Sequence, residues 1–69
     1  MEELTKKQKA VLDFIIKFQR ENGAPPTRLE IARKMGSEWP NTATVHLAAL
    51  QKKGKIAFSM LGQRNIKVL

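Results

Sequence analysis

The 69-residue chain contains no cysteine. That one absence removes a disulfide framework, a thiolate zinc site and a cysteine nucleophile together. A single histidine, His46, cannot build a histidine-based metal cluster alone. No apolar run approaches the roughly 18 residues that a membrane span needs. The opening Met1-Glu2-Glu3-Leu4-Thr5 lacks the basic-then-apolar pattern of a secretory signal. Acids are few and unevenly placed: the last is Glu38, and none follows it. No paired carboxylates suggest a catalytic site. The length has room for one small domain, 1–69. Together these exclusions lead to the expectation of a cytoplasmic binding module without metal or cofactor, and not an enzyme.

What is present is positive charge. Thirteen Lys and Arg against six Asp and Glu leave a formal charge of +7, with a sequence pI near 10.3. Residues 1–38 hold eight cations and six acids, a net +2, whereas residues 39–69 hold Lys52, Lys53, Lys55, Arg64 and Lys67 unopposed. Such a stretch presents positive potential wherever it is exposed, so the expected partner is a polyanion, nucleic acid before anionic lipid. The alternative is a basic protein with no such partner. A hydrophobic content of 42% is that of a folded domain.

The patterning predicts three helices and a hairpin. Thr5-Lys6-Lys7-Gln8 has the form of a capping box, with Leu4 placed as a hydrophobic staple. Apolar residues at Val11, Phe14, Ile15 and Phe18, widened by Leu12 and Ile16, give a helix over about 6–21 that ends at Asn22-Gly23. Ala24-Pro25-Pro26 is a stiff connector. Thr27-Arg28-Leu29-Glu30 repeats the capping box and opens a helix over about 28–35, with Leu29, Ile31, Ala32 and Met35 available for packing and Gly36 closing it. A third helix over about 41–53 carries the stripe Ala43, Leu47 and Leu50, with Lys52 and Lys53 in its last turn and Gly54 beyond. Ile56 and Phe58, then Ile66 and Val68, alternate on either side of a Gly-containing loop, which reads as a β-hairpin over about 55–69. The expected fold is α+β: a three-helix winged helix-turn-helix whose C-terminal two-stranded hairpin is the wing. In that arrangement a helix fits the major groove and a basic wing reaches the backbone.

In order and spacing, several groups of residues resemble the amino-terminal DNA-binding domain of LexA repressors. They are Leu4-Thr5 with Gln8 and Val11; Pro25-Pro26-Thr27-Arg28; Glu30-Ile31-Ala32; Gly36; Pro40-Asn41; His46-Leu47 with Ala49-Leu50; Lys53-Gly54 and Ile56; and Arg64 with Ile66. The similarity runs over essentially the whole chain. It implies a transcriptional regulator, expected to be a repressor of the bacterial SOS response type or a phage relative, that binds operator double-stranded DNA with its third helix in the major groove. The family's second domain dimerises the repressor and carries a Ser-Lys pair for self-cleavage, and it has no counterpart in these 69 residues. The chain is either a domain of a longer protein or a naturally short relative, and tight binding is expected to need two copies on neighbouring half-sites, a second domain or a partner. Where the family usually has Ser before Pro-Asn and acids early in the third helix, this chain has Trp39, Thr44 and Val45. Its base-reading surface is therefore altered.

Individual residues keep two readings. Asn41 either reads a base, its amide matching adenine, or caps the helix. Thr42, Thr44 and Val45, with Ala48, lie away from the core stripe and could meet thymine methyls, or Val45 packs at the domain edge. Trp39 either meets DNA or supports the core and turn. Ser37 bonds a phosphate or caps locally. Arg28, at the start of the second helix, adds to a phosphate site there or pairs with a surface acid. Lys52, Lys53 and Lys55, with Gln63 and Arg64 at the wing tip, are backbone-contact candidates or solvated charges. His46 reads as structural, and Phe14, Phe18 and Phe58 read as core. The rival function is a winged-helix module that binds a protein, a repressor or polymerase. No membrane or small-molecule partner is expected.

Overall fold

In the computed structural model, which describes residues 4–59 and 65–69, both capping boxes are formed. Thr5 Oγ1 accepts from the Gln8 N–H at 3.1 Å, and Gln8 Oε1 accepts from the Thr5 N–H at 3.1 Å. Thr27 and Glu30 repeat the exchange at 3.1 and 2.8 Å. Each box satisfies donors that a helix start leaves without an intrahelical partner. Helix α1 spans Lys6–Asn22, α2 Arg28–Lys34 and α3 Pro40–Lys52. Strands β1 (Ile56–Phe58) and β2 (Ile66–Val68) pair antiparallel, with Ile56 opposite Val68 and Phe58 opposite Ile66. This is the winged helix-turn-helix that the patterning predicts.

The α2–α3 turn is set by backbone geometry. Gly36 sits at φ 86°, in the left-handed region. The Ser37 N–H reaches the Ala32 carbonyl at 2.9 Å, and the Gly36 N–H reaches Arg33 at 3.0 Å. This is the pair of bonds that closes a helix in a Schellman motif. The same motif ends α3, through Lys55 to Leu50 and Gly54 to Gln51, both at 3.0 Å, and it turns the chain directly into β1.

The core is aliphatic. Val11, Ile15, Ile31, Ala32, Ala43, Leu47, Leu50, Ile56 and Ile66 are buried, with Leu4, Leu12, Met35 and Val68 packed around them. Phe14 and Phe58, half-buried, also pack against this cluster, in keeping with their expected core role, whereas Phe18 is half-buried outside it. Ala32 and Ala43, both fully buried, stand on the two helices of the closely packed α2–α3 pair. Phe14 stacks edge-on to Phe18 at 5.7 Å and lies under the Lys34 ammonium at 5.9 Å. Pro26 is among the fully buried side chains, so the connector also contributes to the interior.

Candidate nucleic-acid interface

Burying Ala43, Leu47 and Leu50 turns the other side of α3 outward. Asn41, Val45, Ala48 and Lys52 are exposed along it, and Thr44 beside them is half-buried. At 1.5 Å per residue, Asn41 to Lys52 covers about 16 Å of helix. That stripe holds an amide at one end, an ammonium at the other and apolar surface between.

The start of α3 separates the two readings for several residues. Trp39 is the N-cap and Pro40 the first helical residue, so Asn41 lies inside the helix and does not cap it. Val45 is 67% exposed and does not pack at an edge. Trp39 is 74% exposed, so its core-packing reading does not hold either. Ser37 is engaged locally: its Oγ lies 2.8 Å from Thr42 Oγ1 and accepts the Trp39 N–H at 3.1 Å. Thr42 is half-buried and joined to Ser37, which separates it from the exposed stripe of Asn41, Val45 and Ala48. The Thr44 hydroxyl donates back to the Pro40 carbonyl at 3.3 Å.

The lysines divide as well. Lys52 is exposed. Lys53 is half-buried, and its Nζ donates to Gln8 Oε1 at 2.7 Å, joining the end of α3 to the start of α1. The Lys55 side chain is half-buried, while its carbonyl accepts the Leu69 N–H at 3.1 Å and fastens the chain end to the wing. Arg28 is half-buried and shares a shallow groove with Leu29 and Pro40, which places it beside the start of α3. Gln63 and Arg64 lie outside the described residues. His46 is half-buried and lines an apolar cleft of about 320 Å³ with Val11, Phe14, Ile31 and Met35.

Two further residues shape this surface. Gln51 Oε1 accepts the Phe58 N–H at 3.1 Å and holds the wing against α3. Lys67 is exposed opposite Ala57, on the wing face turned away from Ile56 and Ile66. The strand alternation was the signal for Lys67, but nothing in the spacing marks Gln51. Among the described residues no helix is long and apolar enough to cross a membrane.

The LexA DNA-binding domain model matches residues 1–64. The chain is 48% identical over 69 residues to the LexA repressor of Marinomonas sp. (strain MWYL1). It is 41% identical over 68 residues to the LexA repressor of Pseudomonas aeruginosa (strain UCBPP-PA14), and 43% identical over 68 residues to LexA repressor 1 of Pseudomonas putida (strain KT2440). These alignments cover 99–100% of this chain and 33–34% of the relatives, so the chain spans about a third of their length.

Proposed function

The chain belongs to the LexA DNA-binding domain family, and from that premise we propose that it acts as the sequence-specific reading head of a transcriptional repressor. Helix α3 enters the major groove with Asn41, Thr44, Val45 and Ala48 toward the base edges. Trp39 flanks them at the groove's edge. Lys52 and Lys55, with Arg28 at the other end of α3, face the phosphates, and the wing lies on the neighbouring backbone. The observation that carries this reading is the exposed stripe of α3, held outward by a fully buried one and bordered by a stretch of chain with no acid. One helix and one wing give a limited interface, so tight binding takes two copies on neighbouring half-sites, a second domain or a partner.

Ser37, Thr42 and Lys53 serve this surface as positioning residues, because each is engaged within the fold. Selection of bound duplexes from a random pool, followed by a salt titration, tests the proposal. With about five phosphate contacts, log affinity falls against log salt with a slope of roughly −4 to −5. Asn41→Ala is expected to relax the selected sequence while leaving that slope unchanged. A flat salt response would instead favour a protein partner for the same face.

A further inference from the structure

We infer that α3 reads thymine by its C5-methyl group, with Val45 as the residue that receives it, and adenine through the Asn41 amide. This rests on the DNA-binding reading above and goes further by naming the base chemistry. Of the groups at the start of α3 that could hydrogen-bond a base edge, most are used internally. The Ser37 and Thr42 hydroxyls meet each other at 2.8 Å, and the Thr44 hydroxyl donates to the Pro40 carbonyl. The exposed residues from Trp39 to Ala48 are then an amide, Asn41, and apolar groups, of which Val45 is 67% exposed and Trp39 74%.

The major groove gives each base pair a distinct signature. Guanine is read best by Arg or Lys at O6 and N7, and cytosine by Asp or Glu at its amino group. Residues 39–51 contain none of these four residue types. Adenine suits an Asn amide, and thymine is the one base that offers a methyl to an apolar side chain. Asn41 and Val45 stand one helical turn apart, about 6 Å along the axis, so the two readings fall within about two base steps. The surface thus favours A·T pairs, with thymine recognised by contact and not by a hydrogen bond.

Replacing thymine by deoxyuridine deletes the methyl and leaves every hydrogen-bonding group in place. The experiment takes a duplex recovered by selection, replaces each thymine in turn, and measures affinity for the unaltered chain and for V45A. Burying one methyl corresponds to about a fourfold change in affinity. One thymine position is expected to show that loss with the unaltered chain and none with V45A. V45A in turn is expected to bind the thymine duplex about fourfold more weakly and the deoxyuridine duplex equally well. Val45 is exposed, and alanine favours a helix more than valine does, so the variant remains folded. Salt-dependent binding with no position sensitive to deoxyuridine, or with a sensitivity that V45A retains, overturns methyl recognition alone. The absence of salt-dependent binding to any duplex overturns the DNA-binding reading beneath it.

Discussion

Exchanging Lys53 for Met keeps an aliphatic stem but removes the ammonium that donates to Gln8 Oε1 at 2.7 Å, and the loss should appear in stability before it appears in DNA affinity. A sheltered hydrogen bond to a charged group contributes about 1.5–3 kcal/mol. Lys53 is half-buried, so solvent offsets part of that and about 1 kcal/mol remains. For a chain of this size that is a fall in melting temperature of about 4–8 °C. Lys52 is the next residue back and is exposed. Lys52→Met should leave the melting temperature nearly unchanged and make the salt slope shallower by about 0.9. Its affinity loss is then about three- to fourfold larger at 50 mM than at 200 mM salt. Thermal melts of both variants, read beside fluorescence anisotropy at several salt concentrations, separate the two roles. Gln8→Glu sharpens the comparison: glutamate keeps the capping box and gives Lys53 a charged partner. It should raise the melting temperature more in the unaltered chain than in Lys53→Met, where only its position in the first turn of α1 still helps. A Lys53→Met protein that melts normally and shows the shallower slope would refute the assignment.

At Gly36 a Cβ would meet nothing within 4 Å, so Gly36→Ala carries only the strain of φ 86°. Urea denaturation should show a loss of about 1–2 kcal/mol, with Gly36→Asn losing less because asparagine tolerates left-handed backbone. Leu47 is fully buried on the inner stripe of α3. Leu47→Ala should cost about 3 kcal/mol in the same assay, a large share of the few kcal/mol that hold so small a domain together.

The parts of the fold that are legible in the sequence are those fixed within a few residues. Thr-x-x-Gln and Thr-x-x-Glu mark two helix starts, and Gly23, Gly36 and Gly54 mark three ends, each at positive φ. The start of α3 is harder to read because Trp39 makes no side-chain cap. The helix begins instead through Pro40 at its first position and a hydroxyl pair five residues apart, Ser37 with Thr42. The interior is legible as apolar stripes, with Phe14 and Phe58 packed against them, but the burial of Pro26 is not, because a proline connector reads as a surface turn. Lys52, Lys53 and Lys55 look alike as a basic cluster. Only the fold brings Gln8, 45 residues away, against Lys53 alone. Gln51 is equally silent in the sequence, because its partner is a backbone N–H on a strand that must first fold back.

Helix α3 presents two different sides on one backbone, and only one of them packs into the core. Ala43, Leu47 and Leu50 fix its position against α1, α2 and β1, while the outward stripe takes no part in the core. Trp39, Thr44 and Val45 stand at the start of α3 and on its outer side, and none belongs to the buried cluster. The buried frame therefore does not depend on which side chains stand at these positions. The Ser37–Thr42 pair is where the two sides meet. It joins the turn after α2 to the first turn of α3, so it sets where Asn41 begins and, one helical turn on, where Val45 falls. Under the proposed DNA-binding role, a shift of about 1 Å at that hydroxyl pair would carry the exposed stripe by about a third of a base step. Ser37 and Thr42 thus set the register of α3 without belonging to its exposed stripe.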